Sequence, residues 1–105
     1  SSPSRGLGDV YKRQLNYKYF KKRFGNSFMY IDRVAVDEKF QNNMAGTLLY
    51  EVIYSISSAI SVPLCCEVNT IPLNLQSLNF HKKMEFQKID EIRFGTKKVA
   101  MLVKE

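Results

Sequence analysis

A polar turn, Gln41-Asn42-Asn43, separates an apolar run that ends at Val36 from a long segment with helical apolar spacing. Ala45 and Gly46 then remove side-chain bulk at the point where that helix would begin. The backbone N–H groups of a first helical turn have no intrahelical partner, so with the helix dipole they could bind an anion there. An ordinary helix start with a glycine explains the same residues equally well, and both interpretations stay open.

Cysteine and histidine, the usual ligands of structural metal sites, are scarce in the chain. The two cysteines are adjacent, Cys65-Cys66, within an apparent strand, and His81 is the single histidine. Neighbouring strand residues point to opposite faces, so a disulfide between these two cysteines would be strained. The sequence therefore predicts buried reduced thiols and no metal site.

The apolar run belongs to a strand–helix–strand pattern. Phe28–Val36 is typical of a strand with one face formed by Tyr30, Asp32, Val34 and Val36. Thr47–Ile60 has helical periodicity, and Leu64–Asn69 is a second strand. Because a helix connects the two strands, we expect them to be parallel. The inward stripe of the helix is predicted to be Leu48, Leu49, Val52, Ile53, Ile56, Ala59 and Ile60.

The C-terminal part of the sequence predicts a short helix and a hairpin. Asn74 is a suitable N-cap for a helix over Leu75–Lys83. A turn at Gly95-Thr96 joins a strand over Phe86–Phe94 to a last strand over Lys97–Lys104. The last strand is apolar on both faces, so we expect it in the interior of the sheet.

The first fourteen residues show neither helical nor strand periodicity. They are rich in serine, glycine and charge, which favours disorder, and they look like the translated adapter sequences of assembled environmental DNA. We therefore interpret residues 1–14 as a non-native or disordered leader and residues 15–105 as a single partial domain. On this interpretation the N-terminal part of the natural domain is missing.

The net charge of +6 falls wholly within residues 1–30, and residues 31–105 are neutral overall. The basic, aromatic segment Tyr17–Phe24 could contact phosphates or stack on bases. It could also pack its rings on the domain, which is the commoner arrangement and the one we favour, so we do not expect a nucleic-acid partner. No apolar run is long enough to cross a bilayer and no signal peptide opens the chain, so we expect a cytoplasmic protein without a membrane partner.

The order of these elements and several sets of residues resemble the GNAT N-acyltransferases. Arg33–Val36 followed by Gln41–Gly46 is similar to the family's coenzyme A signature, Q/R-x-x-G-x-G/A. The spacing of its later N-x-x-A-x-x-x-Y-x-x-x-G-F element is shared by Asn74, Ser77, His81 and Phe86. A bacterial subgroup with Y-V-D-R, E-V-N and S-x-x-F-H motifs is similar at Tyr30–Arg33, Glu67–Asn69 and Ser77–His81. The resemblance covers residues 16–104.

The resemblance implies a mixed α/β fold of which this chain forms the C-terminal two-thirds. Its mostly antiparallel sheet would contain a central parallel strand pair that splays around the cofactor. The implied activity is acetyl transfer from acetyl-CoA to a primary amine by direct attack. Backbone groups after Arg33 would bond the pantetheine arm, and the loop amides would bind the pyrophosphate. The implied cofactor-binding residues are Val34, Ala35, Val36, Gln41, Asn42, Asn43, Met44, Ala45, Gly46, Thr47, Asn69 and Asn74.

The resemblance also implies roles for four other residues. His81 falls where many family members have a tyrosine that protonates the departing thiolate, and a histidine can donate a proton near neutral pH. Asp32 lies near the position of a carboxylate base, whereas Tyr30 and Glu67 are candidates for the wall of the acceptor pocket. Structural roles also stay open: His81 could be a packed histidine, and Asp32 and Glu67 could be carboxylates paired with basic side chains.

Two positions depart from the family pattern. Met44 replaces the first glycine of the loop signature, which costs little only if the backbone there is helical, and Glu85 replaces the glycine of the G-F pair. The acceptor would be a small-molecule or peptide amine, and a homodimer is compatible with the sequence. Two other functions stay open, a catalytically inactive acyl-CoA-binding module and a nucleic-acid-binding fragment that uses residues 17–24.

Overall fold

Three helices and four strands are formed by residues 7–33 and 43–105, the part of the chain that the computed structural model describes. The helices are α1 (Leu7–Phe24), α2 (Asn43–Ala59) and α3 (Leu75–Lys83). The strands are β1 (Met29–Tyr30), β2 (Leu64–Ile71), β3 (Gln87–Phe94) and β4 (Lys97–Lys104).

These strands form one mixed sheet in the order β1-β2-β4-β3. β1 runs parallel to β2, whereas β4 is antiparallel to both of its neighbours. The helical crossover through α2 produces the parallel pair, and the hairpin produces the last antiparallel pair. This confirms the predicted fold class, a mixed α/β chain with a mostly antiparallel sheet and a parallel pair, which is compatible with a GNAT-like fold. β4 is an interior strand, as predicted.

Both faces of the sheet are packed. The first core lies on the face covered by α2 and α3 and contains Ile31, Tyr50, Leu64, Cys66, Val68, Phe86, Ala100 and Leu102. The second core lies on the face covered by α1 and contains Phe20, Cys65, Val99, Met101 and Val103. The two cysteines are free and buried and point to opposite faces, as predicted.

α1 begins at Leu7, so the expectation of disorder was wrong for residues 7–14; residues 1–6 lie outside the described part. Apolar residues are too sparse there to show a helical period, and the helix extends from a segment that Phe20 anchors in the second core. Tyr19 and Phe24 pack against the same core. Three of the four aromatic rings of the segment therefore pack on the sheet, whereas Tyr17 is 44% exposed, which supports the packing interpretation for most of the segment.

α2 begins at Asn43, before the predicted start, and buries a different face from the predicted one. Tyr50 and Ser57 are buried, and Ile53 packs against the first core. Five members of the predicted inward stripe are exposed, namely Leu48, Val52, Ile56, Ala59 and Ile60. The prediction failed because α2 is apolar on both sides, so periodicity alone does not identify the side that faces the sheet.

Glu85 ends α3 in the left-handed conformation, with a φ of 69°. Its N–H donates to the carbonyl of Lys82 at 3.0 Å, and the N–H of Phe86 donates to the carbonyl of His81 at 2.9 Å. A residue in this position after a helix is usually glycine, because a Cβ is strained there. Glycine is also the residue that the GNAT resemblance places here.

We expect Glu85→Gly to raise the free energy of unfolding by about 1 kcal/mol, because it relieves this backbone strain. Urea denaturation measures the change. Glu85→Ala is the matched control: it removes the same carboxylate but keeps the Cβ, so its stability should stay within about 0.5 kcal/mol of wild type. Equal gains in both variants would assign the effect to the carboxylate rather than to the backbone.

Candidate functional site

β1 is shorter than the predicted strand over Phe28–Val36 and ends at Tyr30. Two backbone N–H groups donate to carbonyls of the neighbouring segment at 2.9 Å, Met29 to Pro63 and Ile31 to Cys65. The next bond of this parallel series would lead from the N–H of residue 33 to the carbonyl of Glu67. The side chain of Arg33 supplies a donor to that carbonyl, its Nε lying 3.4 Å away. The side chain of Arg33 therefore makes the hydrogen bond to β2 that the backbone of a longer β1 would have made.

The carboxyl end of β2 extends well beyond this point. β2 continues to Ile71 along β4, whereas its register with β1, over the described residues, ends at Cys65. β1 therefore ends while β2 continues, and in this sense the two parallel strands part at the carboxyl end of β1. Ligands of α/β sheets characteristically bind at that end of parallel strands.

Glu67 lies at the point where the strands part. Its side chain is 9% exposed and accepts a hydrogen bond from the hydroxyl of Tyr30. Burial raises the pKa of Glu67 to about 7, although the Tyr30 hydrogen bond and the charge of Arg33 oppose the shift. Burial and the neighbouring carboxylate also raise the pKa of Tyr30 above its usual value, so Tyr30 stays a donor. A carboxyl with this pKa can exchange a proton near neutral pH.

Asp32 lies beside this pair but is more exposed, with 39% of its side chain accessible. Its Oδ2 lies 3.8 Å from Nε of Arg13 on α1. The charge of Asp32 contributes to the raised pKa values of both Tyr30 and Glu67. The structure thus brings three of the predicted site residues, Tyr30, Asp32 and Glu67, together.

His81 is 1% exposed and lies in the first core, on the other face of the sheet. Its Nδ1 lies 2.7 Å from the carbonyl oxygen of Ser77, which can only accept, so Nδ1 carries the hydrogen. Nε2 then accepts from the hydroxyl of Tyr50 at 2.8 Å. The rings of Phe80 and Phe86 contact the imidazole edge-on. His81 is therefore not brought together with Glu67, and its predicted role in proton donation stays a prediction.

The predicted cofactor loop is described only in part. Val34, Ala35, Val36, Gln41 and Asn42 lie outside the described residues, as does the side chain of Asn43. Met44, Ala45, Gly46 and Thr47 continue the first turns of α2 from Asn43. Met44 is therefore helical, the case in which its replacement of glycine costs little. Gly46 is buried, and apart from the backbone of α2 no heavy atom of the described residues lies within 4 Å of a Cβ built on it.

The two asparagines predicted at the wedge mouth have structural contacts. The carbonyl of Asn69 accepts from the N–H of Asn74 at 3.3 Å. The side chain of Asn74 accepts from the N–H of Ser77 at 3.2 Å, which confirms its prediction as the N-cap of α3. Both residues lie near the carboxyl end of β2, and their roles toward a ligand stay predictions.

The thiols are poorly suited to nucleophilic chemistry. Burial raises the pKa of Cys65 to about 12 and raises that of Cys66 well above its ordinary value. Both therefore stay protonated near neutral pH. Among the described residues, no group of three or more His, Cys, Asp and Glu side chains could hold a metal ion.

Sequence reasoning missed two contributors to this region. Arg33 was not predicted as a site residue, yet it is 9% exposed and bonds the Glu67 carbonyl. Tyr50 was not singled out, because nothing in the sequence connects it to His81, 31 positions away. A buried tyrosine hydroxyl generally needs a hydrogen-bond partner, and this is the one signal in the sequence that could have indicated the contact between Tyr50 and His81.

The chain matches no protein-family model, and no curated protein or solved structure is significantly similar to it. The GNAT resemblance therefore depends on the motifs and on the order of the elements. Of the helices in the described part of the chain, none is both long and apolar enough to cross a membrane.

Proposed function

We propose that the chain is an acetyl-CoA-dependent N-acetyltransferase acting on a primary amine, with Glu67 as the group that takes the proton from the incoming ammonium. The observation that carries this proposal is the position of Glu67, a buried carboxyl with a pKa of about 7 where two parallel strands part. An ammonium must lose a proton before its nitrogen can attack a carbonyl carbon. A carboxylate with a near-neutral pKa accepts that proton at physiological pH.

The neighbouring residues would prepare Glu67 for this role. The hydroxyl of Tyr30 donates to Glu67 and fixes its orientation. Arg33, bonded to the Glu67 carbonyl, holds the backbone at the point of strand separation. Asp32 is the less suitable base, because it is more exposed and pairs with Arg13; we propose that it orients the ammonium.

The residues present fit acetyl-CoA in two respects. α2 begins at Asn43, and the partial positive charge of a helix N-terminus suits a pyrophosphate. β2 extends beyond the end of β1, and a pantetheine arm could bond alongside it as an added strand. When bound, acetyl-CoA supplies the thioester whose carbonyl carbon the amine attacks, with the thiol as leaving group.

Cofactor binding can be tested at Gly46. Calorimetric titration of acetyl-CoA into the full chain should give saturable binding at one site. Gly46→Glu should weaken this binding at least tenfold, because its carboxylate would repel the pyrophosphate. Gly46→Gln has nearly the same volume without the charge and should weaken binding less. Equal affinity for all three folded proteins would refute the loop assignment, and binding without release of thiol would favour the inactive acyl-CoA-binding module.

A further inference from the structure

The outward side of α2 is an exposed apolar face. Large apolar side chains recur there every four residues and are between 48% and 70% exposed, namely Met44, Leu48, Val52, Ile56 and Ile60. Together they present roughly 500 Å² of apolar surface, the size of the largest apolar patch on a typical soluble monomer, and such patches are often binding surfaces. The small residues Ser55 and Ala59 lie on the same side and would let another backbone approach closely.

The charges around this face favour a protein over a lipid surface. Glu51 is the only charged residue in the sequence of α2. Helices that lie on membranes carry lysine and arginine beside their apolar face, and α2 carries neither. The positive charge of the chain falls within residues 1–30, and α1 packs on the opposite face of the sheet. Two α2 helices could therefore meet without bringing the basic segments together.

We propose that this face binds a second copy of the chain, with α2 against α2 about a two-fold axis at Val52. The α2 face is self-complementary about this axis, because the axis places Leu48 of each copy opposite Ile56 of the other. The side chains follow a ridge with a spacing of four residues, and two such ridges interdigitate when the helices cross at about −50°. Complete burial of the two faces would remove roughly 1,000 Å² from solvent, which is the lower limit for a specific interface and fits a weak, concentration-dependent dimer.

The oligomeric state and a disulfide test this proposal on the full chain. Sedimentation at about 100 μM should give twice the chain mass of 12.2 kDa for wild type. Val52→Glu should give the single-chain mass, because it would place two carboxylates at the axis. Ser58→Glu adds the same charge at an exposed position outside the stripe and should stay dimeric. Circular dichroism would verify that both variants remain folded.

Crosslinking distinguishes this interface from any other. Val52→Cys should form a disulfide-linked dimer on mild oxidation, because the axis brings the two residues together and the native cysteines are buried. Thr96→Cys, at the exposed β3–β4 turn, should not. A wild-type monomer at this concentration would overturn the proposal. A dimer that survives Val52→Glu and gives no Val52→Cys crosslink would overturn it too, because another surface would then form the contact.

Discussion

Replacing Glu67 with glutamine is expected to stabilise the protein above neutral pH and to remove the pH dependence that Glu67 contributes between pH 4.5 and 7. Folding raises the pKa of Glu67 from 4.5 to about 7, so the folded chain holds this proton more tightly than the unfolded chain. The proton on Glu67 therefore stabilises the folded chain by roughly 3 kcal/mol below pH 4.5. This contribution is lost as the pH rises to about 7. A glutamine does not titrate, yet its oxygen can still accept from Tyr30.

Urea denaturation between pH 4 and pH 8 measures this effect. The free energy of unfolding of wild type should fall through this range relative to that of Glu67→Gln, because only wild type carries the titrating carboxyl. Glu91→Gln is the control: Glu91 is exposed, and a hydrogen bond from Thr70 lowers its pKa, so its contribution is lost only at more acidic pH. This control should keep the wild-type slope. The same slope in Glu67→Gln would mean that a different group titrates.

Replacing His81 with phenylalanine is expected to lower the free energy of unfolding by roughly 2–4 kcal/mol. The ring would still fill most of the space between Phe80 and Phe86, but the buried Tyr50 hydroxyl would lose its acceptor and the Ser77 carbonyl its imidazole donor. Leaving a buried polar group without a partner costs more free energy than a typical hydrogen bond contributes to stability. Thermal or urea denaturation measures the loss.

Tyr50→Phe separates the structural role of His81 from a catalytic one. It breaks the same hydrogen bond but keeps the imidazole, and we expect it to cost about 1–2 kcal/mol. The double variant should lose less stability than the two single variants together, because both remove one shared bond. If both single variants stay folded and keep wild-type turnover, His81 holds α3 in place and takes no part in catalysis. A loss of turnover in His81→Phe alone, with cofactor affinity kept, would restore the proton-donor role.

The features that the sequence predicted well are local. The strand–helix–strand order, the hairpin, the Asn74 cap and the opposed cysteines each depend on a few neighbouring residues, and all are found in the structure. The side that α2 buries could not be predicted, because Leu48 and Val52 are as apolar as Leu49 and Ile53. Only packing against the sheet distinguishes them.

The candidate site depends on contacts that the sequence does not encode locally. Glu67 was identified, but its near-neutral pKa follows from burial, which outweighs the opposing contacts with Tyr30 and Arg33, more than thirty positions away. The early end of β1 could not be predicted either, because its residues have strong strand propensity, whereas the backbone is already helical at Arg33. His81 was a reasonable candidate by spacing, yet its enclosure between Tyr50 and two phenylalanines appears only in three dimensions.

The pH dependence of thiol release from acetyl-CoA, with a mixture of primary amines as acceptors, tests the proposed role of Glu67 most directly. Turnover by wild type should rise with an apparent pKa of about 7, as Glu67 loses its proton. Glu67→Gln should keep its affinity for acetyl-CoA but lose roughly 10²–10⁴-fold in turnover, together with that pH dependence. A folded Glu67→Gln protein with wild-type turnover and the same pH profile would contradict Glu67 as the proton acceptor.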